Sequence, residues 1–350
     1  MGRCLVLPSL FGCLVSLPIA AQAVAQSPPR SLGNDIVTAR SRLTPSQLAQ
    51  VKTWVDWWSP GVDSGDPETV EKAREDALKP LTGLMVPSEL FRFEYGRLAL
   101  PHLKRGIASD TAHAAVNAMI VLPQLGTSAA LYEILEHCDR DDDDRTHIRL
   151  RAAKGCKSML ERARDFSLEP KVVIRAVREL RESAKKEVEC LILRHQFEAM
   201  AVVDDAKARD YLVDALEVVV QRIDGEGRAP SELVEAVYLA IYRLSRRYVT
   251  LPSNEQDELG KRLGPVLGRV CKVARDHWED AHGDPAAKQT YGGTIRVSEE
   301  FLKIIDSVLR DDRTAPRTQL KRHWDAADRP KFDTDRKRWS DILQKPPYRP

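Results

Sequence analysis

The chain has 350 residues, of which 30% are charged, yet its formal net charge at pH 7 is only +2. This balance argues against a chain-wide nucleic-acid-binding surface and against a disordered polyanion. The length allows one or two globular domains, or an elongated array of repeats that escapes the size limit on a single hydrophobic core.

The first 25 residues carry the three regions that are typical of a secretory signal peptide. Arg3 supplies a positive charge, residues 5–21 are apolar, and small residues precede a cleavage point after Ala25. The alternative is an uncleaved membrane anchor. It is disfavoured because prolines interrupt the apolar run, whereas a membrane span needs about 20 predominantly apolar residues. We expect removal of residues 1–25, export to the periplasm or the medium, and no membrane span in the mature chain.

A polar leader, residues 26–43, precedes a predicted N-terminal helical cap, residues 44–87. Thr44-Pro-Ser-Gln47 combines a capping residue, a proline in the first turn and a glutamine at the third helical position, so a helix should begin here. Asp66-Pro67 predicts the start of a second helix that runs to about residue 79.

Trp57 lies about 120° from the centre of the apolar face of the first helix, so it should be exposed or covered by another segment. Packing within a terminal cap is one interpretation of this tryptophan. A partner-binding or sugar-stacking surface is the other.

Residues 88–310 have a helical pattern, and their sequence contains no sustained period-two alternation of the kind that predicts strands. Ser88 should begin a helix that runs to about Gly106 and bends at Pro101. A two-helix unit then repeats, and its clearest copy is LGTSAALYEILEHCDRDDDDRTHIRLRAAKGCKSML.

This unit resembles the HEAT-like repeat family, in which a leucine-rich first helix is joined to a second helix that begins Val/Ile-Arg and runs into Ala-Ala. Ile148-Arg149 and Ala152-Ala153 fill those places, and Asp143 matches the loop aspartate six residues before the arginine. The resemblance implies that Asp143 and Arg149 form a structural ladder.

Weaker copies of the unit, HAAVNAMIVLPQLG, VECLILRHQFEAM and LVEAVYLAIYRL, recur at intervals of about forty residues. The resemblance covers residues 88–310. It implies an all-α, right-handed α-α superhelix of helix-hairpin repeats with a helical N-terminal extension, and it implies no reaction.

The aspartate-rich loop at 139–144 invites comparison with a calcium loop. An EF-hand loop that began at Asp139 would need glycine at its sixth position and glutamate at its twelfth, where this chain has Asp144 and Leu150. Aspartates are favoured before a helix in any case, because they cap free N–H groups and complement the helix dipole. We predict no dedicated metal site, with adventitious weak calcium binding as the alternative.

Four cysteines follow the predicted signal: Cys138, Cys156, Cys190 and Cys271. They lack CxxC or paired Cys/His spacing, so no metal or cofactor is predicted, and most should be small buried hydrophobes with one optional disulfide. In a hairpin that turns near Asp142, Cys138 and Cys156 would lie about 15 Å apart. A disulfide needs Cα atoms within about 7 Å, so this pair is not expected to bridge.

Other candidate chemistry is weak. His277 and His282 are five residues apart and so point to different sides of a helix, His195 falls on an apolar stripe, and TYGGT at 290–294 lacks the lysine of a phosphate loop. We interpret 290–294 as an inter-helix loop.

The C-terminal tail, residues 311–350, is basic and carries interleaved aromatic residues: Trp324, Phe332, Trp339 and Tyr348. This combination would suit nucleic acid in a cytosolic chain. In an exported chain no nucleic acid is expected, and the tail should dock on the last repeat, with an anionic cell-surface polymer as the alternative ligand.

Arginines recur in the predicted second helices, which line the concave surface in HEAT-like arrays: Arg151, Arg194, Arg243 and Arg246. Because the guanidinium fork binds carboxylates and phosphates in a bidentate manner, these residues predict a protein partner that is acidic or otherwise anionic. The alternative is that they only solvate the surface or pair with neighbouring acids.

Together these patterns predict an exported helical-repeat protein that acts as a protein-binding or scaffolding module, with no catalysis. Stacked helix pairs bury one continuous core and leave a long curved surface whose side chains are free to vary. The alternative is an exported helical enzyme, or a protein that binds a polysaccharide or another cell-envelope polymer through the Trp57 region.

Overall fold

The computed structural model describes residues 28–225, 231–310 and 316–348, and all regular elements within these ranges are helical. The predicted all-α class is confirmed. The helices are α1 Asn34–Val37, α2 Pro45–Trp58, α3 Pro67–Thr82, α4 Glu89–Ile107, α5 Ala112–Leu125, α6 Ser128–Leu135, α7 Thr146–Glu161, α8 Pro170–Lys186, α9 Cys190–Ala201, α10 Ala206–Gly225, α11 Ser231–Tyr248, α12 Ser253–Asp276, α13 Trp278–Gly283, α14 Pro285–Leu309, α15 Leu320–Asp325 and α16 Arg329–Leu343. No helix among them is both long enough and apolar enough to cross a membrane. The predicted signal peptide and its cleavage point lie outside the described residues.

Three predicted helix starts are formed by the expected caps. Thr44 accepts a hydrogen bond from the Gln47 N–H (3.3 Å), and the Gln47 side chain accepts one from the Thr44 N–H (3.0 Å), which completes a capping box. The side chain of Asp66 accepts a hydrogen bond from the Thr69 N–H at the start of α3, and that of Ser88 accepts one from the Phe91 N–H at the start of α4. These caps satisfy N–H groups that have no partner inside the helix. The helix α4 continues through Pro101.

The helices are arranged in two layers of stacked pairs. The first layer contains α4, α6, α8, α10 and α12, and the second contains α5, α7, α9, α11 and α14. Each first-layer helix packs on the second-layer helix of its own pair, and each second-layer helix also packs on the next. Side chains 41 residues apart therefore meet, as in Lys157 with Glu198 (3.0 Å) and Arg194 with Glu235 (3.3 Å).

One apolar core runs between the layers from Ile36 to Tyr348. A glycine ends α5 where the ring of Phe166 packs against the backbone. Gly126 has φ +65°, and a Cβ there would lie 2.4 Å from that ring. L-residues with side chains rarely adopt this backbone conformation, so the turn between α5 and α6 requires glycine.

The C-terminal segment 316–348 folds back on the last pair, as the docking interpretation predicts. Its helices α15 and α16 pack on α14 and α12, and the phenol of Tyr348 donates a hydrogen bond to Asp306 (3.0 Å). Trp324, Phe332 and Trp339 are fully buried. Their rings are therefore not available for stacking on a polymer.

This docking also explains a difference from the predicted loop at 290–294, which is instead part of α14. A Cβ at Gly292 would lie 3.1 Å from the ring of Trp324. The glycine thus allows the tail to pack closely on an uninterrupted helix, and a long-range contact outweighs the local preference of two glycines.

Candidate functional site

Three of the five aspartates in the connection between α6 and α7 are paired with side chains of the protein itself. Lys186 lies 2.9 Å from Asp139 and 2.8 Å from Asp141. Asp143 is buried and accepts hydrogen bonds from Arg145, with His137 at 2.8 Å. Burial alone would raise the pKa of Asp143, but these hydrogen bonds outweigh it and lower the pKa to about 2. Within the described ranges no group of three His, Cys, Asp or Glu side chains is placed to hold a metal.

The predicted ladder residues meet, but the carboxylate of Asp143 is not the acceptor. One nitrogen of the Arg149 guanidinium donates to the backbone carbonyl of Asp143 (3.0 Å), and another pairs with the carboxylate of Glu187 in the connection between α8 and α9 (3.0 Å). Both Arg149 and Glu187 are buried. The buried ion pair therefore ties one helix pair to the next, and the acid that completes it was not among the sequence candidates.

The expected separation of Cys138 and Cys156 is wrong, because their sulfur atoms lie 3.7 Å apart. The expectation assumed a tight hairpin that turns at Asp142. Instead α6 ends at Leu135, so Cys138 lies in the connection 136–145, within which Asp143 is buried, and the register of a tight hairpin does not apply. Both thiols are free and buried.

We expect Cys138 and Cys156 to form a disulfide when the chain refolds in a glutathione redox buffer. Oxidised glutathione takes two electrons and the two thiol protons and leaves as two molecules of reduced glutathione. Closing a loop between residues 18 apart should stabilise the fold by about 3 kcal/mol, seen in urea denaturation beside an intact mass lower by two hydrogens.

The folded, reduced protein should oxidise slowly, since the Cys156 thiol and burial raise the pKa of Cys138 well above its usual value. Cys271→Ala is the matched control, because it removes a buried thiol at another place and should leave the redox-dependent stability gain intact. Cys156→Ala should abolish the gain. An equal gain in both variants would contradict this pairing.

The four predicted arginines do not form one row. Arg194 pairs with Glu235 (3.3 Å) and approaches Glu198 (3.8 Å), and it lines a cleft of about 390 Å³ between α9 and α11 together with three glutamates: Glu189, Glu232 and Glu235. This end of the second layer is thus acidic. The side chain of Arg194 is paired with acids of the protein itself. This agrees with the alternative interpretation, in which the arginines pair with neighbouring acids.

The other three arginines are exposed, and no carboxylate of a described residue lies within 4 Å of any of them. Residues 41 positions apart lie side by side on neighbouring second-layer helices. Arg151 therefore lies beside position 192, within one helical turn of Arg194. Arg243 lies eight residues beyond Glu235, or about 12 Å farther along the helix axis. Arg243 and Arg246 therefore belong to a different end of the second layer.

Two residues that sequence reasoning missed extend this end. Tyr242 is 41% exposed and stacks on Tyr238. A Cβ at Gly293 of α14 would lie 4.0 Å from the ring of Tyr238. Tyr248 farther along α11 packs on Phe301 farther along α14, so the two helices run in the same direction and Arg296 lies near the level of Tyr242. Arg296 is exposed and lacks an ion-pair partner among the described residues. We call Tyr242, Arg243, Arg246 and Arg296 the α11–α14 surface.

Trp57 contacts the N-terminal cap. It is half-buried against the core, and its indole N–H donates to the buried carboxylate of Asp76 in α3 (3.3 Å). The indole N–H of Trp57 thus has a partner and its ring packs on the core, as expected of a residue that caps the end of the helical array.

Comparison with known proteins gives no family. No family model matches the chain, and no curated protein matches it. A crystal structure titled as an engineered protein is similar at 14% sequence identity and a TM-score of 0.41, over 71% of this chain and 97% of that one.

Proposed function

We propose that the chain is an exported, HEAT-like helical-repeat protein that acts as a non-catalytic scaffold and binds an acidic protein segment on the α11–α14 surface. The right-handed superhelix, the export and the role of the surface are parts of this proposal. The stacked pairs with a spacing of about forty residues support a HEAT-like array. The signal-like residues 1–25 support export.

The observation that carries the binding role is the unpaired state of Arg243, Arg246 and Arg296 among the described residues. Most neighbouring cations of the second layer are paired, as Lys157 and Arg194 are. Exposed arginines beside an exposed tyrosine are typical of the residues that dominate protein interfaces. The acidic cleft at the other end of the layer would orient an acidic ligand by repelling it.

Binding of a fluorescent glutamate-rich peptide, measured by anisotropy, tests this function. The triple variant Arg243→Glu, Arg246→Glu and Arg296→Glu should lose roughly tenfold or more in affinity, since three exposed ion pairs contribute about 1.5 kcal/mol. Affinity of the unchanged protein should fall as salt is raised.

The matched control is Arg178→Glu, Lys207→Glu and Lys261→Glu, which changes the net charge equally on exposed positions of first-layer helices. This control should bind the peptide nearly as well as the unchanged protein. Equal losses of affinity in the two triple variants would show that only the net charge matters. That result would contradict binding on the α11–α14 surface.

The second candidate function is binding of a polysaccharide or another cell-envelope polymer. It rests on the partly exposed ring of Trp57, and sedimentation with purified envelope polysaccharide would test it. Loss of sedimentation in Trp57→Ala, with the α11–α14 triple variant unaffected, is the result that would favour this alternative.

A further inference from the structure

A cavity of about 680 Å³ opens at one end of the first layer, where the beginnings of α4, α6 and α8 lie side by side. Glu89, Ser128 and Glu169 from these three helix starts line it. The first N–H groups of a helix have no partner within the helix, and its N-terminus carries a partial positive charge. Each of these helix starts therefore contributes a partial positive charge to the lining, although Ser88 and Thr127 each already accept a hydrogen bond from one of the N–H groups.

A buried cation stands in the wall of this cavity. Arg92 is only 4% exposed, and one of its N–H groups donates to the carbonyl of Gln124 (2.6 Å). Its guanidinium lies 4.9 Å over the ring of Phe166, which also contacts Arg162 at 4.4 Å. Among the described residues, no carboxylate lies within 4 Å of Arg92, and its Nε and Nη2 donors have no acceptor.

The local field disfavours this charge. Burial first, and the nearby Arg162 second, lower the pKa of Arg92 to about 10. The attraction of Asp165 raises the pKa of Arg92, but it is smaller than the two opposing effects. Asp165 is mostly exposed and lies 3.9 Å from Arg162. A buried charge without a counter-charge is costly, and an anion in the cavity would offset that cost.

Apolar side chains stand next to the cation. Leu90 is 37% and Phe93 58% exposed, both line the cavity, and Leu168 faces it from the connection before α8. Exposed apolar groups beside convergent polar donors, in a cavity of several hundred Å³, are typical of a small-molecule site. The exposed carboxylates of Glu89 and Glu169 line the same cavity together with the exposed Arg40. With Arg92 included, the formal charge of these side chains is zero, which disfavours a second negative charge on the ligand.

We propose that this cavity binds a small amphipathic carboxylate, whose single negative charge pairs with Arg92 and whose aliphatic or aromatic part covers Leu90 and Phe93. The guanidinium offers its two free donors to the carboxylate in a planar, bidentate geometry. The N–H groups at the starts of α4 and α6 supply further donors. The site is separate from the α11–α14 surface, so it adds a ligand to the proposed scaffold.

Calorimetric titration of the full-length protein with octanoate tests the site. Acetate lacks the apolar part, 1-octanol lacks the charge, and octyl phosphate adds charge. We expect octanoate to bind more tightly than all three, because only octanoate satisfies both halves of the cavity. Equal binding of octanol would overturn the role of Arg92, and tighter binding of octyl phosphate would overturn the preference for a single charge.

Two variants locate the site. Arg92→Gln should weaken octanoate binding roughly tenfold, since a hydrogen bond to a charged group contributes that much. Phe93→Ser changes an exposed position, so it should leave the fold intact while it removes the advantage of octanoate over acetate. Arg178→Gln, at an exposed position on α8, is the control and should change neither.

Circular dichroism should show the helical content of each variant unchanged. If Arg92→Gln does not fold, Phe93→Ser alone decides. Octanoate binding that is unchanged in folded Phe93→Ser, or in folded Arg92→Gln, would show that the ligand does not occupy this cavity and would overturn the proposal.

Discussion

Replacing Arg149 by methionine is expected to lower the free energy of unfolding by about 3–5 kcal/mol, because it leaves a buried carboxylate without its counter-charge. Glu187 is fully buried, and its side chain also accepts hydrogen bonds from the N–H groups of Val188 and Glu189. These two donors remain after the substitution, but the only cation that pairs with Glu187 in the described structure is gone. Urea denaturation measures the loss.

The exposed pair of Arg175 and Glu179 within α8 provides the control. Its atoms are 2.7 Å apart, closer than those of the buried pair, yet its side chains are 54% and 34% exposed. The Arg175 guanidinium also lies 4.5 Å over the ring of Tyr132. Arg175→Met should therefore cost less than about 1 kcal/mol. The double variant Arg149→Met with Glu187→Leu should recover much of the single-variant loss, since two apolar side chains bury no charge. A loss in Arg149→Met as small as in the control would show that the pair does not tie the repeats together.

The parts of this fold that were predictable from sequence depend on short spacings. The caps at Thr44, Asp66 and Ser88 each join residues three positions apart, so a local pattern specifies them. The second helices were recognisable because each repeats the same apolar spacing at about forty residues. The docking of the tail was predictable from its aromatic residues, which need a surface to cover them.

The parts that were not predictable depend on which distant residues meet. Glu187 looks like any polar residue at a helix end until Arg149, 38 residues earlier, is placed beside it. Arg92 sits in an ordinary amphipathic helix, and its burial comes from Gln124, 32 residues later, and from Phe166. The short distance between the sulfur atoms of Cys138 and Cys156 depends on the path of the connection 136–145, and no spacing rule predicts that path.

Trp324→Ala is expected to destabilise the protein by about 3–5 kcal/mol, the range for removal of a fully buried large aromatic side chain. Trp324 packs edge-on to Trp278 (4.8 Å between centroids) and beside His282 (4.3 Å). Its indole N–H donates to the carbonyl of Lys288 (3.0 Å). The substitution thus creates a cavity and removes a tie between α15 and α14. Trp324→Phe should lose less, since it keeps most of the apolar contact.

The place where a protease first cuts the Trp324→Ala variant shows whether the tail acts as a terminal cap or whether the loss of Trp324 weakens the whole core. Leu343 and Tyr348 cover glycines of α12, so release of the tail would expose the apolar face of the last pair. Terminal repeats need a covering element to keep that face from solvent. Trypsin should therefore cut the variant first at basic residues within 316–348, while the preceding pairs resist, and the clipped protein should bind a hydrophobic dye. Cleavage spread evenly over α4 to α14 at the same stage would contradict capping, because it would mean that the loss of Trp324 unfolds the array as a whole.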